Sequence, residues 1–140
     1  MTHLPHIGLK RKILLPRPKT SSYDRPITAY LFFAGPVEDL CKATELIFDI
    51  PGGGYVAMTP EHHEERLRIW AVSTKRPVLS LDYGKSPECQ TFLRHFLHEM
   101  LNWSIDPYPF AVDEAFDAYR LIVESCEFHD LLIIINFFIL

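Results

Sequence analysis

Three consecutive glycines, Gly52-Gly53-Gly54, follow the apolar run Glu45-Leu46-Ile47-Phe48-Asp49-Ile50 and are bracketed by Pro51 and Tyr55. A short apolar run ended by turn residues reads as a buried strand. Glycines at its end permit positive φ and leave no side chain between main-chain N–H groups and a bound atom. Two readings of such a turn compete. It is a tight surface turn, or it offers backbone N–H donors to a developing oxyanion. The residues that follow decide between them.

Thr59-Pro60-Glu61 opens a helix, with a capping hydroxyl, proline at the first helical position and an acid in the first turn. His63, Leu67, Trp70 and Ala71 share one face, while Glu61, Glu65 and Arg68 lie on the other. Lys75-Arg76 closes the helix, and Pro77 to Asp82 reads as a second buried strand. Strand, glycine turn, helix and strand in this order predict an α/β fold, a mostly parallel sheet with flanking helices. Ligands of such sheets bind beyond the carboxyl ends of the strands, where the glycine turn lies.

Elsewhere the pattern is less even. Residues 1–26 are proline-rich and basic and read as an irregular lead-in, with Lys10, Arg11, Lys12, Arg17 and Lys19 as a solvated arm. Ile27 to Phe33 reads as a strand ended by Gly35-Pro36. Residues 90–103 are helical in pattern, with Phe92, Leu93, Phe96, Leu97, Met100 and Leu101 on the apolar face. The clearest helix is 111–124, with Val112, Ala115, Phe116, Tyr119, Ile122 and Val123 as its buried stripe and Asp113 and Glu114 complementing its N-terminus.

At 140 residues and a net charge of −4, the chain is about one domain and lacks the basic footprint of a nucleic-acid binder. Cys41, Cys89 and Cys126 are odd in number and far apart, as expected for thiols in the reducing cytoplasm. The N-terminus lacks the apolar core of a signal peptide. Leu131 to Leu140 is apolar except for Asn136, too short to span a bilayer and suited to a sheet strand. Membrane contact by this tail is the lesser alternative.

Metal and cofactor chemistry finds little support, and neither is expected. His62 and His63 are adjacent and point to different helix faces, and His95 with His98 has no third ligand in view. Cys126 near His129 is no activated pair, because Glu127 and Asp130 would raise the thiol pKa.

Three segments together resemble the N-terminal part of an α/β-hydrolase of the hormone-sensitive-lipase-like (fold-3) esterase group. They are Ile50 to Met58, Arg76 to Glu88 with its Asp82-Tyr83 and Pro87-Glu88, and Tyr108 to Tyr119. The resemblance covers roughly 27–88 and 107–125. It implies hydrolysis of small-molecule carboxylic esters in complete relatives, with Gly52 and Gly53 as oxyanion-hole donors. Pro51, Gly54, Tyr55, Asp82 and Tyr83 would form the supporting loops, with Tyr108-Pro109 setting the start of the next helix.

The chain departs from that pattern in three places. Pro51 stands where the group has histidine, so the turn must be held differently. Residues 89–106 interrupt the match, as a helical lid piece or as unspliced coding material. Neither Ser21, Ser22, Ser73, Ser80, Ser86, Ser104 nor Ser125 sits in a Gly-x-Ser-x-Gly frame, so no triad is expected.

The expected layout is therefore a lead-in at 1–26, a partial hydrolase domain at 27–125 and a divergent apolar tail at 126–140. Two readings stay open. The chain is the N-terminal part of a serine esterase. Otherwise it is an inactive fragment or pseudo-hydrolase that binds a protein partner, or a misread gene product. An incomplete sheet is also expected to aggregate or to depend on a partner.

Overall fold

The computed structural model of the chain describes residues 4–52, 58–84, 108–126 and 132–137. In order, the elements are β1 (Leu9–Leu15), β2 (Ile27–Phe33), a short α1 (Val37–Leu40), β3 (Glu45–Ile50) and a 3-10 turn (Pro60–His63). The turn runs into α2 (Glu64–Thr74), which is followed by β4 (Val78–Asp82), α3 (Tyr108–Cys126) and β5 (Leu132–Phe137). The strands form a sheet in the order β1-β2-β4-β3-β5. β2 pairs antiparallel with both β1 and β4, while β3 pairs parallel with β4 and β5, so β2 alone runs against the rest. The mostly parallel α/β sheet read from the sequence is present. The helical pattern at 90–103 and the interruption at 89–106 lie outside the described residues.

The lead-in is not wholly irregular. Leu9–Leu15 is a strand, paired with β2 from Leu9↔Phe33 to Leu15↔Ile27. Pro5, Pro16 and Pro18 flank it rather than interrupt it, so no ladder hydrogen bond is lost. Lys10, Arg11 and Lys12 are exposed along it, while Ile13 and Leu15 pack on the core. A basic stretch can be an edge strand when it lies against a hydrophobic neighbour.

Alternation along the strands divides the core into two layers. Leu46, Phe48 and Ile50 of β3, Leu79 and Leu81 of β4, and Ile27 and Ala29 of β2 face α3. Ile47, Val78, Tyr30 and Phe32 face α2, which contributes Leu67 and Ala71. The helical face read from the sequence for α2 is the face that is buried, with Trp70 packed at its margin.

For α3 the buried face is rotated from the expected one. Ala111, Ala115, Ala118 and Ile122 meet the sheet, and Glu114 and Asp117 are buried beside them. Val112 and Phe116 point outward, Phe116 being 57% exposed with the Arg120 guanidinium 5.7 Å from its ring centre. The two stripes share Ala115 and Ile122, and Tyr119 of the expected stripe packs half-buried against the same core; size alone favours the wrong face. A helix lying close on a sheet that already carries Phe48 and Leu81 takes alanines at the contact.

Candidate functional site

Two connections leave the middle of the sheet in opposite directions. From β3 the chain goes to α2 on one face, and from β4 it goes to α3 on the other. The carboxyl ends of β3 and β4 therefore flank a topological switch point, the place where open α/β sheets bind ligands. The glycine turn begins there. Pro51 is fully buried and Gly52 half-buried, whereas Gly53, Gly54 and Tyr55 lie outside the described residues.

The turn's first residue is held by its neighbour across the switch point. The Tyr83 hydroxyl, at the end of β4, donates to the Pro51 carbonyl at 2.8 Å, and Tyr83 is 3% exposed. This bond supplies an anchor at a position whose proline ring can make no side-chain hydrogen bond. Of the two residues at the end of β4 expected as supports, Tyr83 touches the turn through this bond, whereas Asp82 is paired in register with Thr28 of β2. Asp82, Tyr83 and Gly84 also line an open cleft of about 440 Å³ with Leu14, Arg25, Pro26 and Thr28.

A buried charged cluster braces the same end of the sheet. The Arg17 guanidinium lies 2.8 Å from Glu114 Oε1 and 3.1 Å from Asp117 Oδ2, and its side chain is 4% exposed. Its Nε donates to the Arg25 carbonyl at 2.7 Å, and Ser21 Oγ donates to Asp117. The second oxygen of Glu114 accepts the Gly84 backbone N–H at 2.7 Å. One carboxylate thus ties α3, the lead-in and the exit of β4 together. Arg17 is not part of a solvated arm, and Glu114 does not face solvent at a helix terminus. A basic residue flanked by prolines gives no local sign of burial; only acids on the inner face of α3 could have hinted at a partner.

On the opposite face Asp49 is fully buried in β3, where sequence shows only an acid inside an apolar run. It accepts from Ser80 Oγ at 2.6 Å and from Arg66 at 3.3 Å, and Arg66 stacks on Trp70 with 4.8 Å to the ring centre. The α2 packing thereby acquires a charge-assisted bond across the β3–β4 pair.

His63 lies next to this group. His62 Nδ1 accepts the Thr59 backbone N–H at 3.1 Å and caps the helix start, whereas His63 Nε2 is buried with no hydrogen-bond partner among the described residues. Burial first, and then the Arg66 charge, push the His63 pKa below its ordinary value. An unfolded chain protonates this ring near pH 6.5, while the folded one resists until the pH is lower. The unfolded state then binds more protons, so stability is expected to fall as pH drops from about 6.5 to the folded value. A His63→Asn variant is expected to lose this slope when unfolding free energy is measured against pH. The slope would be unchanged if His63 were not its source.

Glu64 acts in a separate, more acidic window. Burial alone would raise its carboxyl, but bonds from Lys10 and Arg68 outweigh burial and hold it below the usual range. Its contribution is present above the unfolded value and is lost only as pH falls through the lower folded one.

No family model matches the chain. Over 85 residues it is 34% identical to hormone-sensitive lipase of Bos taurus, a match covering 61% of this chain and 9% of that protein. The human hormone-sensitive lipase is 32% identical over 85 residues, covering 61% and 6% respectively. Among solved structures, the metagenomic thermostable carboxylesterase EstE1 superposes with a TM-score of 0.63 at 19% identity, over 94% of this chain and 37% of that one. An esterase of Pyrobaculum calidifontis does so with a TM-score of 0.62 at 21% identity, over 94% and 35%. The chain thus spans under a tenth of the curated relatives and about a third of the solved esterases.

Proposed function

We propose that the chain, similar over 85 residues to hormone-sensitive lipase and sharing its fold with solved carboxylesterases, carries the oxyanion-binding part of a carboxylic ester hydrolase. Gly52 and Gly53 supply backbone N–H donors to the oxygen that gains charge when an ester carbonyl is attacked. The observation that carries this reading is the glycine turn starting at the β3–β4 switch point, with the Tyr83 hydroxyl anchoring Pro51. Donors fixed before the reaction need no reorganisation as charge develops, which is why such groups act more strongly than solvent. The substrate class is a small-molecule ester, in line with the esterases and lipases to which the chain is similar.

The same reading assigns no nucleophile to these residues, since no serine has the glycine frame that exposes its Oγ at a strand–helix turn. Purified as 140 residues, the chain is expected to take up no stoichiometric label from a fluorophosphonate probe. Labelling at a single serine would show a nucleophile that this reading lacks.

The oxyanion role is tested where a nucleophile is present. In a chimaera with residues 27–84 in place of the matching part of a solved esterase, Gly53→Pro removes one N–H donor. It is expected to lower kcat for a p-nitrophenyl ester about 10²–10³-fold. An equally active Gly53→Pro chimaera would remove the donor from the mechanism.

A further inference from the structure

We propose that Glu114 is a positioning residue for the glycine turn, acting on it through Gly84 and Tyr83. The pairing of β4 ends at Asp82 on the β2 side and at Ser80 on the β3 side, and β3 pairs with β5 as far as Ile50. Tyr83, Gly84, Pro51 and Gly52 therefore lie past the last rungs, where strand pairing no longer sets the backbone. Two hydrogen bonds act there. The Tyr83 hydroxyl donates to the Pro51 carbonyl at 2.8 Å, and the Gly84 N–H donates to Glu114 Oε2 at 2.7 Å.

Each bond fixes more than the atom it touches, because a peptide group is planar. The Pro51 carbonyl and the Gly52 N–H belong to one trans peptide and point opposite ways, so a hydroxyl that holds the carbonyl also aims the N–H. The Gly84 N–H lies in the peptide that joins Tyr83 to Gly84, so a carboxylate that holds it sets the ψ angle of Tyr83. A small turn about that angle is magnified at the hydroxyl by the length of the ring, and hydrogen bonds weaken steeply with misalignment. Glu114 is itself held. It is 1% exposed on the face of α3 that packs on the sheet through Ala111, Ala115 and Ala118, and its Oε1 accepts from Arg17 at 2.8 Å. A carboxylate has an acceptor oxygen for each of these two donors, where an amide has only one. The purpose of an aimed Gly52 N–H rests on the oxyanion reading above, whereas the aiming rests on bonds within the fold.

The test reads amide nitrogen relaxation at Gly52 in the full 140-residue chain, with the amides of β2 and β4 as a check on the fold. Glu114→Met keeps an unbranched side chain and removes both acceptor oxygens. The Gly52 order parameter is expected to fall from about 0.85 to below about 0.6 while β2 and β4 stay rigid. Tyr83→Phe, which removes one hydroxyl, is expected to do the same, and adding Glu114→Met to it to cause no further fall. An unchanged Gly52 in Glu114→Met, or two effects that simply add, would overturn the proposal. Should Glu114→Met not fold, the triple variant Arg17→Met, Glu114→Gln, Asp117→Asn decides. It discards the ion pairs but leaves one amide oxygen for the Gly84 N–H, so Gly52 is expected to stay as rigid as in the unsubstituted chain. A mobile Gly52 there would assign the positioning to the ion pairs and overturn the role of the Gly84 bond. None of these readings involves ester hydrolysis. A Glu114-dependent turn beside a fully active Gly53→Pro chimaera would therefore sink the oxyanion reading alone, and the reverse pair of results would sink the positioning role alone.

Discussion

Replacing Arg17 by methionine is expected to destabilise the fold by about 3–5 kcal/mol, measured by denaturant unfolding. The guanidinium is the shared cation for Glu114 and Asp117, and both carboxylates are buried. Removing it leaves two negative charges close together, with Ser21 Oγ donating to Asp117 and the Gly84 N–H to Glu114. The size of the loss would reflect the stranded charges and not the net worth of the ion pair, which is small once desolvation is counted. This distinction can be measured. Adding Glu114→Gln and Asp117→Asn to Arg17→Met is expected to recover much of the loss, because neutral amides are far cheaper to bury than unpaired carboxylates. If the triple variant is no more stable than Arg17→Met, the loss comes from packing of the arginine side chain instead.

Truncating Phe48 to alanine is expected to cost a further, independent amount of about 3–5 kcal/mol. Phe48 is fully buried in β3, flanked by β4 on one side and β5 on the other, and it faces Ala111, Ala115 and Ala118 of α3. Alanines cannot extend into the space a lost ring leaves, so the cavity persists unless the helix moves toward the sheet. Such movement is resisted by the bond from the Gly84 N–H to Glu114 and by the Arg17 bridge. The expected signature is a lowered denaturation midpoint with an unchanged dependence on denaturant. A loss below about 1 kcal/mol would mean that the α3–sheet contact collapses freely, contrary to a helix pinned at both Arg17 and Gly84.

These two residues also mark the boundary between what can be read along the chain and what cannot. Strands β2, β3 and β4 were predictable because each is a short apolar run between turn residues, a property of neighbours in sequence. The helix after Thr59 was predictable because its cap, its proline and its 3.6-residue periodicity are equally local. So was the start of the glycine turn at Pro51 and Gly52, since both directly follow the buried strand β3. The order of motifs from Pro51 to Tyr119 carried the family resemblance, which the lipase and esterase comparisons then supported.

Tertiary structure decided the rest. Whether Leu9–Leu15 was a strand depended on β2 lying beside it, and a run containing Lys10, Arg11 and Lys12 has no apolar alternation of its own to declare it. Which stripe of α3 is buried depended on how closely the helix approaches the sheet, a distance that favours Ala111 and Ala118 over the larger Val112 and Phe116. The Tyr83–Pro51 bond joins residues 32 apart, and Arg17 meets Glu114 and Asp117 at separations of 97 and 100. Local patterns record where a chain turns and which residues prefer the interior. The partner of a buried charge is chosen only when distant segments are brought to the same end of one sheet, because a charge is tolerated there only with its counter-charge already in place.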